Sequence, residues 1–211
     1  MVRIAPPPPH HAPKPIVEAL PAGTRIVRIY DPTDHDATAT GFRYYGPVSR
    51  FDHHGRDRRG QPTVSRYRGI YYVSATFAGC LVELFGDSAF VEFGERRVAY
   101  VRLTRDLAVL SLCGHGAMRA GITTALTVYP RRRLTQEWSR YFYSRDDLYA
   151  RVDGLMWNSA HNGDVVFALY ERAADALECP PDWSIRLDDP DLRPAILDLA
   201  AENGLSVPPP D

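Results

Sequence analysis

The chain is almost without lysine. Lys14 is the single lysine among 25 Lys and Arg residues, so nearly every cation of this 211-residue sequence is a planar guanidinium. Such groups suit bidentate contact with phosphate and carboxylate. Excess charge of either sign is also missing. The formal net charge is -1, which gives no argument for nucleic acid as a direct partner. Cysteine is scarce: Cys80, Cys113 and Cys179 are odd in number and lack metal-ligand spacing. They exclude a disulfide scaffold and suit free thiols in a reducing compartment. No long hydrophobic run exists. The longest apolar stretch is interrupted by Gly79, Glu83 and Gly86 and is too short to span a bilayer. The opening MVRIAPPPPHHAPKP has no apolar core of a signal peptide. A cytoplasmic protein with no membrane partner is expected. There is also no Walker A loop or Rossmann glycine fingerprint, so a bound nucleotide would be held by side chains.

What is present points to one sizeable core, since 45% of residues are hydrophobic. Residues 1–15 read as a proline-rich flexible arm, 16–205 as the globular domain and 206–211 as a flexible tail. His10 and His11 fit a solvated arm better than a metal site. Strands are expected at Arg25–Tyr30, Ile70–Val73, Phe90–Phe93, Arg97–Leu103, Leu107–Leu112, Leu155–Trp157, Val165–Tyr170 and Trp183–Leu187. Helices are expected at Ala75–Phe85, with Ser74 as N-cap and Gly86 as stop, at Arg133–Tyr143, and at Asp191–Glu202 before Gly204. Many strands with few helices give an α+β fold, a single domain with a central β-sheet and flanking helices.

Glu83 stands out. It is the only Asp, Glu, Lys, Arg or His in the seventeen residues IYYVSATFAGCLVELFG, Ile70 to Gly86. A carboxylate there is expected to be shut away from water, which is costly unless it is paired or used. Arg28 lies mid-strand, facing either solvent or a cleft. Arg50 lies in a turn-rich loop, PVSRFD, where an arginine is ordinarily surface. Tyr71 and Tyr72 must point to opposite faces of their strand, leaving one ring free for a ligand. Ser159 follows a strand in WNSAHNG. A Ser159–His161 hydrolase pair lacks the G-x-S-x-G elbow. Asp34-His35-Asp36, His53-His54 and Cys113-Gly114-His115 do not have the spacing of a closed metal site, so no metal is expected.

In order, these pieces are Arg28; Ser49-Arg50-Phe51 with Gly55; Gly69-Ile70-Tyr71-Tyr72-Val73-Ser74; Glu83; and Asp153-Gly154-Leu155-Met156-Trp157-Asn158-Ser159. Together they resemble the RES-domain family, over roughly Arg25 to Ala174. The resemblance implies the fold of diphtheria-toxin-like ADP-ribosyltransferases and the toxin role of a toxin–antitoxin pair restrained by an Xre-like antitoxin. It implies NAD+ as substrate. Arg28 and Arg50 would hold it, Tyr72 would line the nicotinamide pocket, and Glu83 and Ser159 would complete the site. Family members transfer ADP-ribose to a protein or break NAD+ with water or phosphate. Transfer to a protein acceptor is favoured here because of the arginine-rich loop between Gly55 and Gly69. That loop and the proline-rich ends depart from the family pattern. A non-catalytic nucleotide- or antitoxin-binding module is the reading from another class, and a homodimer is left open.

Overall fold

The fold turns on a sheet that nearly divides in two. The computed structural model describes residues 4–34 and 37–209. Its main sheet has nine strands: β1 (Val17–Leu20), β2 (Arg25–Tyr30), β5 (Ile70–Ser74), β6 (Arg97–Leu103), β7 (Leu107–Ser111), β8 (Gly154–Asn158), β9 (Val165–Tyr170), β10 (Leu177–Glu178) and β11 (Ser184–Arg186). The order is β1-β7-β8-β9-β5-β2-β6-β10, with β11 beside β10 along β6. Only β7 and β8 run parallel; the other pairs are antiparallel. A small hairpin, β3 (Tyr45–Gly46) with β4 (Thr63–Val64), stands apart. In the middle, β2 and β5 share a single register pair, Val27↔Ser74. By contrast β2 pairs with β6 from Arg25↔Arg102 to Tyr30↔Arg97, and β5 pairs with β9 along its whole length.

Helices α1 (Phe77–Phe85), α2 (His115–Arg119), α3 (Arg132–Ser144), α4 (Asp146–Tyr149) and α5 (Arg193–Glu202) cover the sheet. The α1 sequence FAGCLVELF buries Cys80, Leu81, Val82 and Phe85, while Glu83 and Leu84 fall on its open side. A second core lies under α3, where Trp138 and Phe142 pack with Phe51, Tyr149 and Trp157. The α+β architecture with a central sheet and flanking helices matches expectation. Among the described residues no helix is long and apolar enough to cross a membrane.

Several local expectations need correction. Ser74 does not cap α1; it completes β5, paired to Val27 and Val166. Thr76 is the N-cap, its Oγ1 accepting from Gly79 N at 2.9 Å. Phe90–Phe93 is not a strand. Ala89 and Gly94 bracket it at φ 52° and 50°, left-handed backbone that interrupts extension. Val91 plugs the core there, wholly buried, and its N–H bonds Ser206 O at 2.8 Å. Strand β1 was not anticipated, because four residues of VEAL carry too little β-branched content to announce themselves. The proline-rich segment has neither helix nor strand, yet it is fastened to the body. Trp138 Nε1 donates to Ala5 O at 2.9 Å, and Lys14 N donates to Arg119 O at 2.8 Å. Ser206, the start of the expected tail, likewise donates to Ala89 O at 2.8 Å. The Asp34-His35-Asp36 cluster lies partly outside the described residues.

Gly154 sits where β8 meets β9 at close quarters. A Cβ there would lie 2.6 Å from Ala168 O and 2.9 Å from Leu169 Cα, both backbone atoms that cannot swing aside. Gly154→Ala should therefore cost about 1–3 kcal/mol of stability through overpacking, read as a lower urea midpoint. An unchanged midpoint would show that the strands separate without cost.

Candidate active site

A cavity of about 550 Å³ opens beside the junction of β2 and β5, within the size range of small-molecule sites. Its lining includes Arg50, Tyr72, Glu83, Asp87, Arg132, Trp157 and His161. On β2, alternation decides which residue faces it. Ile29 and Tyr72 line the cavity, whereas their chain neighbours Arg28 and Tyr71 turn to the other face. Of the expected site residues, Arg50, Tyr72 and Glu83 line the cavity; Ser159 lies just behind it, and Arg28 is turned away from it. Its guanidinium donates to Gly41 O at 2.6 Å and lies 4.5 Å over the Tyr71 ring.

The loop carrying Arg50 is built from below by Asp52, whose side chain is wholly buried. Asp52 Oδ2 accepts from Val48 N at 2.6 Å and Ser49 N at 2.9 Å. Asp52 Oδ1 accepts from Tyr72 O–H at 2.9 Å, and Arg43 pairs with both oxygens at 2.9 and 3.0 Å. Burial and the Asp52 charge hold the Tyr72 phenol well above its usual range, so it remains the donor. Helix α3 supplies the other support. Gln136 Nε2 donates to Ser49 O at 2.9 Å, Thr135 Oγ1 to Arg50 O, and Ser139 Oγ to Phe51 O at 2.6 Å. Three successive carbonyls are satisfied by side chains of one helix. Arg50 itself donates to Tyr129 O. Burial, then the charge of Arg132, lowers its pKa, against the opposing pull of Glu83. Two guanidiniums therefore face one cavity, and among the described residues neither is neutralised by a direct carboxylate contact.

The acidic side comes from α1. Glu83 was expected to be shut away from water; instead it is exposed, because the helix buries its other faces and presents Glu83 to the cavity. Its partner is Ser159, whose Oγ donates to Glu83 Oε1 at 2.6 Å. Among the described residues Glu83 makes no ion pair, so a structural salt bridge does not account for it. The turn after β8 presents Ser159. Ser159 N donates to Asp164 O at 2.7 Å and Gly163 N returns to Ser159 O at 3.1 Å. Asp164 in turn accepts from the Thr76 hydroxyl at the start of α1, locking turn to helix. Trp157 packs its ring 4.7 Å from Phe51 and 6.5 Å from Tyr72, forming the apolar floor.

Four of the five expected residues, Arg50, Tyr72, Glu83 and Ser159, thus converge on this region. Arg132, Asp87, His161 and Trp157 were missed as lining residues, and Asp52 as the organiser of the Arg50 loop and Tyr72. For Asp52 a signal was available in the run Phe51-Asp52-His53-His54, a polar cluster before a glycine. Nothing in the sequence ties Arg132 to Arg50. Among the described residues no group of three His, Cys, Asp or Glu side chains is placed to hold a metal.

An α+β chain with a polarised cavity at a nearly split sheet is the class these observations define. The chain belongs to the RES domain family, whose model matches residues 25–188. No curated protein matches it. Among solved structures it is similar to one described as the M. tuberculosis MbcT–MbcA toxin–antitoxin complex, with TM-score 0.55 and 14% identity over 87% of this chain and 92% of that one. That likeness is one of fold.

Next to the Arg50 loop, His54 is wholly buried and neither ring nitrogen has a partner among the described residues. Burial, opposed by Asp52 and assisted by His53 and Arg43, pushes its pKa from 6.5 down to about 4. Between these values the unfolded chain binds a proton that the folded chain refuses. Stability must therefore fall as pH is lowered through that window, for His54 by on the order of 2 kcal/mol at pH 5 relative to pH 8. Urea unfolding at both pH values should show a smaller drop for His54→Gln than for the wild type. An identical drop would acquit His54.

Proposed function

We propose that the chain is the toxin of a toxin–antitoxin module, acting in the cytoplasm, that cleaves the nicotinamide–ribose bond of NAD+ and transfers ADP-ribose to a protein. The observation that carries this reading is the division of charge in one cavity: Arg50 and Arg132 on one set of elements, Glu83 bonded to Ser159 on another. NAD+ has a matching division. Its pyrophosphate is anionic, and its ribose becomes cationic as the neutral pyridine leaves. Guanidiniums suit the first. An ionised carboxylate close to the anomeric carbon stabilises the second, an oxocarbenium-like transition state.

In this reading Arg50 and Arg132 hold the pyrophosphate, and Tyr72 and Trp157 flank the flat nicotinamide. The Ser159 hydroxyl fixes the Glu83 carboxylate by donating to one oxygen, leaving the other free for the ribose hydroxyls. No general acid is required, because the leaving group departs without a proton. Arg28 supports the segment around Gly41 rather than the phosphates. An Xre-like antitoxin is the proposed partner; the similar solved structure is itself that of a toxin bound to an antitoxin, which supports a partner of this kind. Glu83's exposure favours a second reading, in which water or phosphate reaches the ribose and NAD+ is simply broken down.

Incubation with adenylate-labelled NAD+ and a cell lysate separates the two. Label in a protein band is expected. Label only in free ADP-ribose or its phosphate would replace transfer by breakdown, and intact NAD+ throughout would end both readings. Glu83→Gln, nearly isosteric, should slow nicotinamide release by on the order of 10²–10³; an unchanged rate removes Glu83 from the chemistry. Arg50→Ala should weaken NAD+ binding roughly ten- to a hundredfold, since a charge-assisted contact is worth about 1.5–3 kcal/mol. Calorimetric titration measures this directly, and unaltered affinity would place the pyrophosphate elsewhere.

A further inference from the structure

The arginine-rich loop is not slack. Between Gly55 and Gly69 it carries Arg56, Arg58, Arg59, Arg66 and Arg68 against a single acid, Asp57, in a chain whose net charge is -1. Its backbone is tied to β3 through residues 63–65, and an Arg56↔Pro62 bridge closes its tip. Tyr45↔Val64 and Gly46↔Thr63 pair β3 with β4, and Ser65 N donates to Tyr44 O at 2.8 Å. Within it, Asp57 Oδ1 accepts from Arg59 N and Gln61 N, both at 2.8 Å, and Ser65 Oγ accepts from Arg68 N at 3.0 Å. Two arginines serve this framework. Arg56 reaches Gln136 Oε1 at 2.8 Å, and Arg68 donates to His53 O at 2.6 Å while lying 5.0 Å over the Tyr143 ring.

The other three, Arg58, Arg59 and Arg66, are exposed, and among the described residues their guanidiniums have no hydrogen bond or ion pair. Beside them stand Val64 at 70% and Tyr67 at 80% exposure, with the less exposed Tyr44 and Tyr45 at the adjoining strand. The positive charge extends onto α3. Burial together with the charges of Arg56, Arg68 and Arg133 outweighs Glu137 and lowers the pKa of Arg140, so these groups lie within one another's field. The band also approaches the cavity. Gln136, which receives Arg56, is four residues beyond the cavity-lining Arg132, one helical turn or about 6 Å.

We infer that the ordered 55–69 hairpin loop is a docking surface for an acidic protein segment bearing aromatic or aliphatic side chains. Free guanidiniums supply the complementary charge and forked donors for carboxylates. Tyr67 and Val64 supply the apolar anchors that such an interface buries at its centre. A single-stranded nucleic acid would need a basic track with several stacking rings. Here the unpaired cations occupy one hairpin, and Val64, which cannot stack on a base, is more exposed than the neighbouring rings of Tyr44 and Tyr45. If the NAD+ reading holds, a protein docked on this band presents its own side chains at the cavity mouth, which makes it the acceptor.

The test is a binding measurement that does not involve NAD+. The full chain is titrated into a fluorescein-labelled random Glu–Tyr copolymer and, separately, into a labelled oligothymidylate, at two salt concentrations. Copolymer binding should weaken with salt, and should weaken at least tenfold in the triple variant Arg58→Glu, Arg59→Glu, Arg66→Glu. Arg151→Glu, an exposed arginine elsewhere, should leave it unchanged, and circular dichroism checks that both variants are folded. Copolymer binding indifferent to the triple reversal would overturn the assignment. So would tighter binding of the oligonucleotide, lost in the triple variant. Nicotinamide release, measured on the same samples, reports on the catalytic reading alone, so either idea can fail without the other.

Discussion

A single carboxylate out of reach of water governs the geometry of the cavity. Burying Asp52 is tolerable only because its lone pairs are used: a guanidinium, two backbone amides and a phenol converge on its two oxygens. These partners belong to different parts of the chain. Val48 and Ser49 lie on the loop that presents Arg50, Arg43 precedes β3, and Tyr72 lies in the middle of β5. The bonds to Asp52 therefore set the position of a cavity arginine relative to a cavity tyrosine. Helix α3 fixes the same loop from above, through Thr135, Gln136 and Ser139, and also brings Arg132 to the cavity. Positioning and electrostatics are thus built by the same few residues.

The acidic side is assembled differently. Glu83 is held by one short bond from Ser159, and Ser159 is held by the turn that Asp164 fastens to the start of α1. Among the described residues no cation makes a direct ion pair with Glu83; Arg50 acts on it only across the cavity. In the proposed reaction, a carboxylate left in this condition would answer a positive charge that exists only as nicotinamide leaves. The RES family assignment gives that arrangement its context, and the cavity's own geometry gives it a physical rationale.

Much of this was legible before any coordinates. Strands such as Arg25–Tyr30 and Val165–Tyr170 declare themselves by β-branched and aromatic runs, and α3 by its amphipathic spacing. The pairing of Glu83 with Ser159, 76 residues apart, followed from a resemblance in motif order rather than from periodicity. What could not be read were relations between distant segments. Whether Arg28 faces the cavity depends on which side of β2 the helix α1 covers, and alternation alone leaves both choices open. Exposure of Glu83 depends on how α1 is turned, which its apolar neighbours disguised. The extended piece around Val91 looked like a strand because β-propensity does not register the left-handed residues Ala89 and Gly94 on either side.

The lone Val27↔Ser74 rung has a mechanical meaning. A ladder of five or six rungs resists twisting about its own axis; one rung acts as a pivot. The two wings of the sheet, β1-β7-β8-β9-β5 on one side and β2-β6-β10 on the other, are joined through it. Rigidity across the seam comes from packing on both faces: Ile26 and Val101 pack with Tyr71, Val73 and Phe167 on one, and on the other α1 lies against both β2 and β5 and is riveted to the Ser159 turn by Asp164. The helix that carries Glu83 is therefore also one of the struts that join the two wings, so the seating of α1 and the width of the cavity beside it are coupled.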